Sequence, residues 1–203
     1  MQRARPDAYS FAPSSWVLPD DYSRFLHACK EAARNSDDPA MFIVKPERGC
    51  QGKRIFLTRT ADEDVIRDTF WTLSEVLVAQ SYIQRPLIFD GLKFDLRLYA
   101  LVTCVDPLRV YLYRDGLVRF CTEPYAEATA LNKDHVFMHL TNHSLNKSNA
   151  AYEDSTDALD PTVGSKRRLV PFLDLLSKRG AHPTLYPDSA RTPPDVAHSR
   201  AYG

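Results

Sequence analysis

The stretch Gly91-Leu92-Lys93-Phe94-Asp95-Leu96-Arg97-Leu98-Tyr99-Ala100 alternates apolar and polar residues almost without interruption. Strand side chains repeat every two residues. Phe94, Leu96, Leu98 and Ala100 therefore share one face, and Lys93, Asp95, Arg97 and Tyr99 the other. The run predicts a half-buried strand over about 93–104. Its polar face carries two cations and a carboxylate at rigid spacing. Such a row suits a phosphate and its metal, and it equally suits a solvated face with an internal salt bridge. The residues alone leave both readings open.

The 203-residue chain is 44% hydrophobic, enough for the core of one domain or part of one. Its 26 basic and 26 acidic residues balance. No global basic field favours nucleic acid, and an acidic partner would need a local patch. No run of about 18 apolar residues exists to span a membrane. The start, Met1-Gln2-Arg3-Ala4-Arg5-Pro6, lacks the apolar stretch of a signal peptide. Cys29, Cys50, Cys104 and Cys121 are scattered without a C-x-x-C pair, which reads as reduced thiols of a cytoplasmic protein.

Residues 1–19 read as an extended segment. Asp20 and Asp21 can cap a helix to about Arg34, with Tyr22, Phe25, Leu26 and Cys29 on its inner stripe. Asp37-Asp38-Pro39 is a turn. Met41 to Lys45 and Ile55 to Thr58 predict a hairpin around Gly49-Cys50-Gln51-Gly52. A helix is expected over about 62–74 and a strand over about 76–83. After the alternating strand, Asp106-Pro107 turns the chain, Arg109 to Tyr113 returns, Asp115-Gly116 makes a tight hairpin turn, and Leu117 to Cys121 completes an antiparallel meander. Residues 147–166 read as a loop. Pro171 suits the first turn of a helix to about 178. From Gly180 the chain is Pro-rich and aperiodic, and reads as disordered.

The glycine turn is not a P-loop. Glu47 stands where the first glycine belongs, Arg54 replaces Ser or Thr, and the turn joins two strands. A glycine-tipped hairpin can still fold over phosphate and offer backbone N–H groups, though an ordinary turn explains the same residues. His139 and His143 are four apart but have no third metal ligand in pattern. No nucleophile motif is present.

The order of motifs goes further than any single one. Phe-Ile-Val-Lys45-Pro46 is followed by Gly49-Cys50-Gln51-Gly52 and Gln80-Ser81-Tyr82-Ile83. Then come Asp90-Gly91-Leu92-Lys93-Phe94-Asp95-Leu96-Arg97, Asp106-Pro107-Leu108-Arg109, Gly116-Leu117-Val118-Arg119-Phe120 and His139-Leu140-Thr141-Asn142. This order resembles the tubulin tyrosine ligase-like family over about residues 11–179. The Gly-Cys-Gln-Gly turn and Gly164-Ser165-Lys166-Arg167-Arg168 are similar to its polyglutamylase branch. The resemblance implies an α+β fold, a partial ATP-grasp ligase with a mainly antiparallel sheet and packed helices, spanning residues 20–179. It implies ATP-dependent addition of glutamate to glutamate side chains of tubulin tails through an acyl-phosphate, in the cytoplasm at the cytoskeleton or cilium. The partners would be tubulin or microtubules and free glutamate, with neither nucleic acid nor membrane, and the protein a monomer.

By the same resemblance Lys45 contacts ATP phosphate, and Gln51 and Gly52 lie in the flap above it. Gln80, Ser81, Tyr82 and Ile83 hold adenine; Lys93, Phe94 and Asp95 also contact ATP; Thr141 and Asn142 close the nucleotide site. Arg97 is the catalytic phosphate clamp. Arg119, Ser144 and Lys166 bind the incoming glutamate. Such chemistry needs cations aimed at a transferring phosphoryl group and at two carboxylates.

Three departures qualify the resemblance. Arg54 stands where the family turn carries a second glycine, an arrangement that costs roughly 1 kcal/mol if φ is positive there. His143 replaces the tyrosine of a Thr-Asn-Tyr-Ser turn. The family's Leu-Glu-Val-Asn motif, with its acidic magnesium ligands, does not occur, so the chain reads as a truncated member. The alternative function is a non-catalytic tubulin- or nucleotide-binding remnant.

Overall fold

Two four-stranded antiparallel sheets and a separate two-stranded ribbon carry the chain. The computed structural model describes residues 7–35, 40–49, 52–59, 75–155 and 160–180. The expected turn at 37–39, the helix over 62–74 and the tail from 181 lie outside them.

In the first sheet β1 (Ser15–Leu18), β4 (Leu77–Ser81), β2 (Met41–Pro46) and β3 (Phe56–Arg59) run side by side in that order. The N-terminal extended stretch thus supplies an edge strand, with Trp16 opposite Ala79. The helix α1 (Tyr22–Asn35) begins directly after Asp21, whose carboxylate accepts the Val17 N–H at 3.0 Å. Its apolar stripe lands as the 3.6-residue period requires. Phe25 and Cys29 are buried with Leu18, Phe42, Val44, Leu77 and Ala79.

The second sheet has the order β10 (Lys166–Arg168), β9 (Leu117–Phe120), β6 (Leu92–Arg97) and β5 (Ile88–Phe89). The helix α4 (Leu169–Lys178) covers its apolar face. Phe89, Phe94, Phe120 and Phe172 meet there at ring centroids 5.1–6.4 Å apart, tilted or edge-on as aromatic quadrupoles prefer. Phe94 and Leu96 face this core, so the alternation of β6 holds.

The meander does not form as expected. The alternating strand breaks at Leu98-Tyr99, and β7 (Ala100–Val105) pairs only with β8 (Leu108–Leu112). The strand β9 pairs with β6 and not with β8. Asp115-Gly116 therefore turns no hairpin. The Asp-Gly pair that does so is Asp90-Gly91, with φ of 50° and 80°, between β5 and β6. Both central residues of that type of turn need positive φ, which Asp and Gly tolerate. Asp115-Gly116 instead anchors α4. The Gly116 carbonyl accepts the Leu169 N–H and the Asp115 carboxylate accepts the Val170 N–H. Pro171 has no N–H to satisfy, so the first turn of α4 is capped from a distant loop. A Cβ on Gly116 would lie 2.4 Å from the Arg97 carbonyl oxygen, which explains glycine there.

His139 ends α2 (Val136–His139) and His143 opens α3 (His143–Asn146), so their spacing of four falls across two short helices. One further expectation changes. The expected loop over 147–166 ends in β10, whose Lys166 pairs with Arg119. No helix among the described residues is long and apolar enough to cross a membrane.

Candidate functional site

The polar face of β6 meets the end of β2, the end of β4 and the turn between α2 and α3. Lys45, on β2, donates to Gln80 Oε1 at 2.9 Å. Gln80 in turn donates to Ser15 Oγ at 2.8 Å, so the extended N-terminal segment braces this lysine. Lys93, on β6, donates to the Tyr82 hydroxyl at 2.9 Å and to the His139 carbonyl at 2.8 Å. Burial lowers the proton affinity of both ammonium groups; for Lys93 the Asp95 carboxylate offsets part of that loss and Lys45 adds a smaller repulsion. Among the described residues neither lysine has a carboxylate within ion-pair distance. Two half-buried cations thus share a space with only neutral acceptors. That is costly unless an anion joins them.

Asp95 belongs to a different part of the row. Its Oδ1 accepts Arg119 Nε at 2.8 Å, and its Oδ2 accepts Arg119 Nη2 at 2.5 Å and Thr141 Oγ1 at 2.8 Å. The register puts Asp95, Arg119 and Lys166 side by side across β6, β9 and β10. This forked bond raises the proton affinity of Arg119 above that of an ordinary arginine.

The turn after α2 completes the site. Asn146, buried, accepts the Thr122 N–H and hydroxyl and donates to the Leu140 and Asn142 carbonyls. It thereby clamps Thr141-Asn142 against the end of β9. A Cβ on Gly52 would lie 3.0 Å from Asn142 Cγ, so the glycine turn reaches this wall. Gly52 has φ of 81° and Arg54 has φ of 60°. The arginine therefore does occupy a backbone region that favours glycine. Its side chain pairs with Glu75 at 3.0 Å.

The structure thus brings Lys45, Gly52, Gln80, Tyr82, Lys93, Asp95, Thr141 and Asn142 into one neighbourhood. Tyr82 is buried with its hydroxyl on Lys93, while Ile83 is 55% exposed. The Ser81 and Tyr82 N–H groups are engaged by Ser14 and Met41 carbonyls. Phe94 faces the aromatic core. Ser144 is exposed beside His143, whose proton affinity is lowered by burial and then by Lys166, Lys147 and Arg119. Arg97 stands apart at the exposed end of β6, its guanidinium 5.5 Å from the Tyr99 ring. Four residue steps along the strand put it about 13 Å from Lys93. Gln51 lies outside the described residues.

Ser15 and Asn146 have no local sequence signature as site residues, and His139 has only its place as the first residue of the His139-Leu140-Thr141-Asn142 motif and its spacing from His143. The nearest sequence signal is that motif, whose Thr141-Asn142 pair His139 and Asn146 flank.

A groove of about 680 Å³ lies elsewhere, lined by Leu101 and Tyr111 of the ribbon, by Tyr99 and Tyr113 beside it, and by Arg114, Asp115 and Arg168. Asp115 and Arg168 are bonded to each other. Its concavity carries no convergent charge, whereas the lysine pair does.

Comparison with known proteins matches the family description "Tubulin-tyrosine ligase family" over residues 1–171. The chain belongs to the tubulin-tyrosine ligase family. It is 44% identical over 183 residues to the human tubulin polyglutamylase TTLL11, covering 89% of this chain and 25% of that protein. It is 42% identical over 180 residues to a probable beta-tubulin polyglutamylase of Tetrahymena thermophila, covering 89% of this chain and 14% of that protein. The human tubulin polyglutamylase TTLL7 is 40% identical over 177 residues, covering 87% of this chain and 19% of that protein. The chain spans about a quarter or less of the length of these relatives. The mixed, mainly antiparallel architecture agrees with a partial fold of this family.

The family resemblance implies magnesium. Among the described residues no group of three or more His, Cys, Asp and Glu could hold a metal ion. Asp95, the carboxylate of the cation row, has both oxygens engaged. The described residues do not form a magnesium site.

Proposed function

We propose that this chain binds ATP between the two sheets and carries the nucleotide half of a ligase that adds glutamate to tubulin tails. The observation that carries this reading is the pair Lys45 and Lys93, half-buried, mutually repelling and held only by neutral acceptors. A triphosphate supplies the missing negative charge. Gly52 and Asn142 close over it, and exposed Ile83 offers apolar surface to a base. A carboxylate is a poor electrophile, and phosphoryl transfer to it would give the acyl-phosphate that an amine attacks.

On this reading Arg119, Ser144 and Lys166 receive the free glutamate, beside the α3 turn. Arg97 acts on the transferring phosphoryl group once the flap and the tubulin tail are in place. Tubulin as acceptor is supported by the relatives' names and by membership of the family. A cytoplasmic, microtubule-associated site follows from that acceptor.

The lack of a metal-holding acidic cluster among the described residues favours a second reading, a nucleotide- or tubulin-binding remnant without catalysis. One pair of measurements separates them. Calorimetric titration of ATP should show binding that Lys45→Ala weakens about tenfold or more. Incorporation of labelled glutamate into microtubules should then follow for the ligase and be absent for the remnant. No ATP binding by the unaltered chain would remove both nucleotide readings.

A further inference from the structure

We propose that Tyr82 and His139 are positioning residues that form a one-way hydrogen-bond relay holding the Lys93 ammonium at the nucleotide phosphates. The inference rests on the nucleotide reading for its ligand, but not for its geometry.

With the imidazole neutral, the direction of each bond follows from the groups present; the Tyr82 hydroxyl also interacts with the Tyr125 hydroxyl, whose own proton goes to the Gln84 carbonyl. A carbonyl only accepts, so the 3.0 Å contact between His139 Nε2 and the Asn132 oxygen places a proton on Nε2. The other ring nitrogen, Nδ1, is then a bare acceptor. The Tyr82 hydroxyl, 3.1 Å away, donates its proton to it. The Tyr82 oxygen is left with lone pairs alone, and Lys93 donates to it at 2.9 Å. The His139 carbonyl accepts a second Lys93 proton at 2.8 Å. Residue 139 thus holds the ammonium twice, through its backbone and through its ring. Of the three N–H groups of the ammonium, one remains for a ligand.

The surroundings keep this arrangement in place. His139 is 1% exposed and Tyr82 is 8% exposed. The Tyr82 and Tyr125 rings both stand edge-on to the imidazole, with centroids 5.8 and 5.9 Å away. Burial, and the charge of Lys93, favour neutral imidazole against the opposing pull of the Asn132 carbonyl. Nearby Cys121 is no acid partner, since burial pushes its thiol up to about 12.

Apolar residues of similar shape would fill this space with less desolvation. A polar relay that ends on a cation and brings it no negative charge does not serve packing. It fixes the ammonium in place through neutral acceptors, with the Asp95 carboxylate acting on it from beyond ion-pair distance. It also ties the lysine to the segment that carries Thr141 and Asn142, so both walls of the site move together.

Competitive acetylation of the ligand-free 203-residue chain, read by mass spectrometry, reports how firmly Lys93 is held. In Tyr82→Phe, Lys93 is expected to react roughly threefold faster or more, with exposed Lys178, at the far end of α4, unchanged as internal control. His139→Leu should behave alike. His139→Asn should restore slow labelling, because its amide oxygen takes the place of Nδ1. ATP affinity should fall about tenfold in the first two variants and recover in the third. Thermal melts identify any variant that fails to fold, and the two His139 variants carry the comparison if Tyr82→Phe does. Unchanged Lys93 labelling in Tyr82→Phe and His139→Leu would overturn the relay. Faster labelling with unchanged ATP affinity would overturn its positioning role. Faster labelling in a chain that binds no ATP even unaltered would leave the relay standing and defeat the nucleotide reading instead.

Discussion

Arg54 shows how one residue can oppose its own backbone. At φ of 60° its Cβ is crowded, yet its guanidinium reaches Glu75. Arg54→Gly and Arg54→Ala both delete that pair, but only glycine relieves the backbone. Glycine should be the more stable of the two by about 1 kcal/mol in chemical denaturation. Equal stabilities would show that the turn relaxes freely. Arg119 tests the other side of the site. Removing its planar fork should raise the glutamate concentration needed for incorporation about tenfold. ATP affinity should change far less, and a parallel loss of both would take Arg119 out of the glutamate pocket.

At the level of elements, α4 starts where it does because Asp115 and Gly116 satisfy its first N–H groups. Asp115→Asn should cost about 1–2 kcal/mol, measured as a lower urea midpoint at neutral pH. Burial pushes the Asp115 carboxyl up. The Gly116 and Val170 N–H groups and Arg168 outweigh it and hold the carboxyl below the usual range. The folded state then binds its proton less readily than the unfolded chain. The stabilisation is full above about pH 4 and fades as pH falls below that. The difference between wild type and Asp115→Asn should therefore shrink at pH 3. The turn between α2 and α3 depends on Asn146 in the same way. Asn146→Leu leaves two carbonyls and the Thr122 N–H without their partner. A loss of about 3 kcal/mol is expected, with Thr141 and Asn142 released.

Across the whole molecule, stability among the described residues rests on two main cores, one under α1 and one under α4, and on a smaller cluster of Met41, Leu57, Tyr82 and Ala128. Phe172→Ala opens the second at the centre of four aromatic rings and should cost about 3–5 kcal/mol, seen as a large fall in melting temperature. The ribbon β7–β8 belongs to neither core. Leu101, Val102 and Val105 are 63%, 53% and 81% exposed. Replacing Leu101 by Lys should leave stability within about 0.5 kcal/mol and raise solubility.

Much of this was readable from the chain alone. The period of two placed Phe94 and Leu96 inward and Lys93, Asp95 and Arg97 outward, because a pleated strand gives its side chains no other choice. The stripe of α1 and the hairpin of β2 and β3 were legible for the same local reason. Which strands pair was not. Two Asp-Gly pairs offered the same signal, and only the surrounding chain decided that Asp90-Gly91 turns while Asp115-Gly116 caps. Lys93 meets the His139 carbonyl across 46 residues, and Lys45 meets Gln80 across 35. No local pattern encodes such contacts, because they form only when packed sheets bring distant segments together. Sequence determined which faces carry charge, and tertiary structure decided which of those charges are neutralised and which are left for a ligand.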